Sequence, residues 1–211
     1  MNEYSFRVDK MKKNNGLKKQ VDKREKILYA AVRVFAKNGF YNSTISQIAK
    51  EAGVADGTIY IYFKNKDDIL IKVFEEAMSV ILTTLNEKMK EVDDPVEKLR
   101  IYIENQFELA TNYPDLAEVI QVELRQSAKF MKEYTNEPFR KYLNIIKDII
   151  NEGKEKGIFR EDVDAGLMKR VIFGTLDEIT LHWVLKGKKY DLAPVVDKLH
   201  KIFLEGILKK H

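Results

Sequence analysis

The chain has 211 residues, 45% of them hydrophobic, with 37 Lys+Arg against 33 Asp+Glu and no cysteine. That length suffices for a small domain beside a larger one, and the lack of thiols excludes disulfides, thiol catalysis and thiolate metal sites. No stretch approaches the roughly 18 apolar residues of a membrane span, and the lysine-rich start lacks the apolar run of a secretory signal, so a cytoplasmic protein is expected.

Residues 1–22, with Lys10, Lys12, Lys13, Lys18 and Lys19, carry no sustained apolar period and read as a basic arm. Such an arm either reaches phosphates or a minor groove, or stays a solvated tail. Residues 1–66 hold 14 Lys+Arg against 6 Asp+Glu, a net of +8, while residues 67–211 hold 23 against 27, a net of −4. A basic front before an acidic body is the electrostatic footprint of a DNA-facing module.

A helix is predicted over Lys23 to Asn38, broken at Gly39 and Phe40. Thr44 then caps a short helix in which Ile45, Ile48 and Ala49 share one face. Gly53 follows where the chain must turn through a left-handed conformation. A second short helix, Ala55 to Tyr62, sends Ile59 and Phe63 inward while Thr58, Tyr60 and Tyr62 project toward phosphates and base edges. Gly57 near its start costs about 1 kcal/mol of helix propensity relative to Ala and lets backbone approach DNA closely. Helix, glycine, helix with outward tyrosines also describes an ordinary helical hairpin; the charge split favours the nucleic-acid reading.

The run Gly57, Thr58, Ile59, Tyr60, Tyr62, Phe63 and Lys66 resembles the signature of the tetracycline-repressor (TetR) family of bacterial transcription regulators. The resemblance implies that Thr58 contacts bases or phosphate, that Tyr60 and Tyr62 contact phosphates, and that Lys66 holds backbone phosphate. Ala55 stands where the family often has Ser, so the usual side-chain cap of the recognition helix is not expected. Thr44, Gly57, Thr58, Tyr60, Tyr62 and Lys66 form the candidate DNA-binding set.

Beyond Asp67 the pattern is helix after helix. Asp67 to Val92 is expected as one long helix, a lever with Ile69, Val73, Phe74, Ala77, Ile81 and Leu85 on its apolar side. Asp94 caps and Pro95 opens a helix to about Asn112, which Tyr113 and Pro114 break. Further helices are expected over Val119 to Gln126 and Pro138 to Lys156, then one that Asp164 caps and that continues to Lys186, and a last one that follows Asp191 to near Lys209, with Gly157 and Gly187 as stops. Phe139, Leu143, Ile146, Ile149 and Ile150 make one stripe, and Val171 to Leu185 is apolar around much of its circumference. A homodimer through these two helices is expected, with Gly174 and Thr175 permitting close crossing; packing within one subunit is the alternative.

Polar groups interrupt the apolar body. Arg125, between Glu123 and Gln126, either grips an anionic ligand or closes an internal salt bridge. Glu178 and His182 share a helix face; one histidine and one carboxylate do not make a metal site, and a buried hydrogen-bonded pair is expected.

Val54 to Leu70, Val122 to Ser127, Ile172 to Leu185 and Lys189 to Leu192 resemble the FadR group within the TetR family, repressors of fatty-acid degradation. That resemblance implies a long-chain acyl-CoA effector, one per subunit, with its chain in an apolar tunnel. Phe107, Leu124, Phe130, Ile146, Phe173, Leu176, Trp183 and Leu185 are candidate lining residues, and Arg125, near Lys129 and Lys132, is the candidate for the phosphate-rich head. The lining aromatics serve equally well as plain core.

The expected fold is therefore all-α. A flexible basic N-terminal arm (1–22) precedes a three-helix helix-turn-helix head (23–68) and a larger helical ligand-binding and dimerisation body (69–211). The expected function is a dimeric repressor that binds palindromic double-stranded operator DNA and is released by long-chain acyl-CoA, with no cofactor, catalytic residue, metal or membrane partner. The alternatives are a TetR-type regulator of another hydrophobic ligand, or a lipid or acyl-CoA carrier without DNA binding.

Overall fold

The computed structural model describes residues 23–124 and 137–209. The basic arm, Arg125, Lys129, Phe130 and Lys132 lie outside the described residues. Among those described, nine α-helices and one π-helical segment account for the regular structure, apart from a single antiparallel bridge between Phe159 and Leu208. The helices are α1 (Lys23–Asn38), α2 (Ile45–Ala52), α3 (Asp56–Tyr62), α4 (Lys66–Met89), α5 (Pro95–Asn112), α6 (Pro114–Glu118), α7 (Glu137–Glu155), α8 (Ala165–Leu185) and α9 (Ala193–Ile207); the π-helical segment is Val119–Glu123.

Two compact units divide the chain at Phe74 and Glu75, and again at Ala117 and Glu118, so that the π-helical segment belongs with α1, α2 and α3. In this first unit Ile27, Ala30, Ala31 and Phe35 from α1 bury completely, as do Ile48 and Ala49 from α2 and Ile59 from α3. Their spacing at i, i+3 and i+4 turns one stripe of each short helix inward, and that shared burial stabilises helices too short to persist alone. Phe40 closes the end of this core edge-on to Phe35, with ring centroids 5.3 Å apart.

The second unit is built around α5, whose Leu99, Tyr102 and Ile103 are fully buried. Asp94 opens α5 by accepting a hydrogen bond from Val96 N at 2.9 Å, with Pro95 at the first helical position, as expected from the sequence. α7 packs on both α5 and α8, and α9 packs on α5. Tyr102 and Tyr142 stack with centroids 4.9 Å apart, and the Tyr142 hydroxyl donates to Gln106 Oε1 at 2.6 Å. Burial pushes both phenols above their ordinary pKa. Lys98 meets Glu152 at 2.7 Å, joining α5 to α7, and Lys156, just past the end of α7, meets the same carboxylate at 2.9 Å.

Two expectations change. The helix expected over Val119 to Gln126 begins at Pro114 and winds into a π-helical segment, where Leu124 N donates to Val119 O, an i to i+5 bond that hydrophobic periodicity does not announce. The final helix follows Asp191 as expected, beginning at Ala193, whose N–H donates to the Asp191 side chain. Glu178 and His182 are both exposed, not a buried pair. They lie with Leu167, Val171, Gly174 and Leu185 on one exposed face of α8, where Leu167, Val171 and Leu185 are 60%, 43% and 68% exposed. In the α7 stripe, Ile146, Ile149 and Ile150 are buried within the subunit, and Phe139 and Leu143 are half-buried.

The turn after α7 depends on a glycine. A Cβ on Gly153 would lie 2.0 Å from Cδ2 of Phe159, which is fully buried and leads into the bridge to Leu208. Replacing Gly153 by Ala should therefore cost about 3 kcal/mol, despite alanine's better helix propensity. Urea unfolding would show this as a lower midpoint with an unchanged slope; a midpoint at or above wild type would mean the ring has room to shift.

Candidate nucleic-acid interface

Thr44 starts α2 with extended backbone, and its hydroxyl accepts from Gln47 N at 3.2 Å while Gln47 Oε1 accepts from Thr44 N at 2.9 Å. This reciprocal box satisfies two groups that a helix end leaves bare. Gly53 ends α2 at φ 69° and ψ 37°, the left-handed conformation anticipated from the sequence. Val54 N then donates to Ala49 O at 3.0 Å, bringing the chain directly into α3. Ala55 precedes α3 without a side-chain cap, as its missing hydroxyl requires.

α3 is anchored on one side and open on the other. Ile59 is fully buried and Phe63, just past the helix, nearly so. Tyr60 and Tyr62 are 59% and 37% exposed, and Thr58 is half-buried. Ile61, which sequence reasoning did not single out, is 75% exposed between the tyrosines. A Cβ added to Gly57 would meet nothing within 4 Å, so the bare backbone there is not demanded by packing inside the protein.

The geometry departs from expectation at Lys66. Its ammonium donates to the carbonyls of Phe40, Tyr41 and Ser43 at 2.6, 3.1 and 2.9 Å and lies 4.6 Å from the Phe40 ring centroid. Burial lowers the Lys66 pKa, partly opposed by Asp67. The Phe40 N–H donates to Oε2 of buried Glu123 at 2.6 Å. In the sequence Glu123 stands out only as a neighbour of Arg125, because 83 residues separate it from its partner.

The candidate ligand residues fall in two places. Leu124 is buried in the first unit, at the end of the π-helical segment. In the second unit Phe107 is buried on α5, and half-buried Phe173 meets Phe139 and Tyr142 edge-on at 5.4 and 6.3 Å. Trp183 is buried and its indole N–H donates to Tyr190 O at 2.7 Å. Arg125 and Phe130 lie outside the described residues. Asn105, missed from the sequence, is 1% exposed and its side-chain amide nitrogen is without a hydrogen-bond partner. Among the described residues no three His, Cys, Asp or Glu side chains group closely enough to hold a metal ion.

Residues 27–73 match the family of bacterial regulatory proteins called the tetR family, and residues 74–206 match the C-terminal region of YsiA-like proteins, a TetR-type body. The chain is 42% identical over 194 residues to the fatty acid metabolism regulator protein of Bacillus subtilis, covering 92% of this chain and 100% of that one. Among solved structures it is similar to the fatty acid degradation regulator FadR from Bacillus halodurans, with TM-score 0.84 and 43% identity, covering 90% of this chain and 98% of that one. It is also similar to the transcriptional regulator FadR from Bacillus subtilis in complex with stearoyl-CoA, with TM-score 0.82 and 43% identity over 87% of this chain and 98% of that one.

The Glu123 bond supplies a test of how the first unit is held. Glu123→Ala leaves the buried Phe40 N–H unpaired and should destabilise by about 1 to 3 kcal/mol, whereas Glu123→Gln keeps an acceptor oxygen and should cost less. Chemical denaturation ranks the two; equal losses would show that the carboxylate charge, not the bond, matters.

Proposed function

We propose that this chain, which belongs to the tetR family of bacterial regulatory proteins, is a repressor of fatty-acid degradation. It binds a palindromic operator as a homodimer and releases it when long-chain acyl-CoA occupies the body. The observation that carries this reading is that the likeness to the regulator bound to stearoyl-CoA runs through both the helix-turn-helix and the helical body. Its partners are operator DNA, a second copy of the chain and acyl-CoA, and its place is the cytoplasm. No described helix is long and apolar enough to cross a membrane.

In this reading α3 enters the major groove. Tyr60 and Tyr62 hold phosphates, Thr58 contacts a base edge or phosphate, and Gly57 lets backbone come close, while Thr44 fixes the start of α2 near the sugar-phosphate chain. Two such heads about 34 to 36 Å apart read successive turns of a palindrome. The second copy docks on the exposed α8 face of Leu167, Val171, Gly174 and Leu185. Bare Gly174, where an added Cβ would meet nothing within 4 Å, permits close helix crossing.

Phe107, Phe173 and Trp183 of the second unit supply apolar surface for the acyl chain, each buried CH₂ contributing roughly 0.8 kcal/mol. α4 runs without a break from the first unit into the second, so a ligand that favours one body conformation acts on the head through it. A coupling of about 2 to 3 kcal/mol weakens operator binding by tens to over a hundredfold, and DNA weakens ligand binding by the same factor.

Titration of a selected palindrome at fixed salt, with and without saturating long-chain acyl-CoA and with free CoA and free fatty acid as controls, tests the reading. Loss of binding with acyl-CoA alone is expected. Binding indifferent to all three leaves a regulator of another ligand, and acyl-CoA binding without DNA binding leaves a carrier. In the same assay Gly57→Ala should lower operator affinity about tenfold while raising stability by about 0.5 to 1 kcal/mol, since the added methyl meets only the DNA side. Unchanged affinity would remove α3 backbone approach from the mechanism.

A further inference from the structure

The turn between α1 and α2 is unusually well bonded for a short loop. α1 ends at Asn38, Gly39 takes φ 77°, and the chain runs without helical hydrogen bonds until Thr44 starts α2. The Ser43 hydroxyl bonds to the carbonyls of Val34 and Gly39 at 3.2 and 2.6 Å. Glu123 accepts the Phe40 N–H, and the three carbonyls of Phe40, Tyr41 and Ser43 converge on Lys66, the first residue of α4. A lysine ammonium has three hydrogens, and here each has a backbone acceptor. The face of the Phe40 ring adds a fourth favourable contact to the same cation.

An ammonium so enclosed has no hydrogen left to donate to a phosphate, and turning to DNA would take a donor away from three backbone carbonyls at once. From this geometry we infer that Lys66 is a positioning residue: it clamps the turn before Thr44 to the start of α4, setting the helix-turn-helix for DNA without itself binding a phosphate. The inference rests on the operator-binding reading above. It also gives α4 a direct hold on the start of α2, because the carbonyl of Ser43, the residue before the Thr44 cap, is one of the three held.

Salt dependence separates the two roles. Each phosphate neutralised contributes about 0.9 to the slope of log K against log salt. As a clamp, Lys66→Met should lower operator affinity about tenfold with an unchanged slope, because the number of phosphates met is the same. Lys66→Arg should behave like Lys66→Met, since a planar guanidinium cannot aim three hydrogens from one apex at three converging carbonyls. A phosphate-binding Lys66 gives the opposite pair of results: a slope lower by about 0.9 in Lys66→Met and near wild-type binding in Lys66→Arg.

Limited acetylation of the wild-type protein, read by mass spectrometry with exposed Lys64 as internal reference, decides the matter even where a variant fails to fold. Protection of Lys66 in the free protein, unchanged by operator, supports the clamp. A Lys66 that is reactive when free and becomes protected on adding operator overturns it. If the wild-type chain binds no operator, the proposed function fails, while acetylation of the free protein still reports on the clamp.

Discussion

The head of this protein depends on satisfying the backbone of the six residues between α1 and α2. A chain leaving one helix and entering another within so short a span exposes several N–H and C=O groups that neither helix can pair, and Phe40 carries its share of them while its own ring is buried. Two charged side chains meet that demand: the Glu123 carboxylate takes the Phe40 N–H, and the Lys66 ammonium takes the Phe40, Tyr41 and Ser43 carbonyls. Hydrogen bonds to ionised groups are stronger than neutral ones, and partial burial protects them from screening. The Thr44 box and the α2–α3 turn follow directly from that held segment.

The second unit solves a different problem. α5 is buried along much of its length, so its polar residues need partners inside the protein. Tyr142 reaches Gln106, and His200 pairs with the Val96 carbonyl at 2.9 Å. Asn105 retains an unpaired amide nitrogen, which carries a desolvation cost of about 1 to 3 kcal/mol. Among the described residues of this unit, the large apolar side chains left exposed are Leu167, Val171 and Leu185 on the outer face of α8, Tyr190 beyond its end and Ile202 on α9. On α8 Leu167 and Val171 sit one turn apart, and exposed Glu178 and His182 separate them from Leu185; in the proposed dimer this mixed face is the one a second copy covers.

A repressor needs its head rigid enough to read DNA and coupled to its body by only a few kcal/mol. The bonds described here suit that division. The contacts at the α1–α2 turn are short and charge-assisted, whereas the candidate effector region is apolar, where each methylene of a ligand adds a small and similar increment.

Most helix boundaries were legible in the sequence because they are local chemistry. Lys23 to Asn38, the Thr44 and Asp164 caps, Pro95 after Asp94, and the stops at Gly53, Gly157 and Gly187 each involve residues within a few positions of one another. Inward Ile59 and Phe63 followed from spacing alone, as did the apolar side of the long α4 helix. Only the tertiary structure decided which partner met Phe40, where the Lys66 ammonium went, how Phe159 filled the space over Gly153, and that Glu178 and His182 faced outward. Those outcomes join residues far apart in the chain or depend on which face of a helix finds cover. Sequence alone thus determined where this chain coils and turns, because propensity and capping act over one or two turns; packing decided which polar groups met, because such pairing exists only once distant segments are brought together.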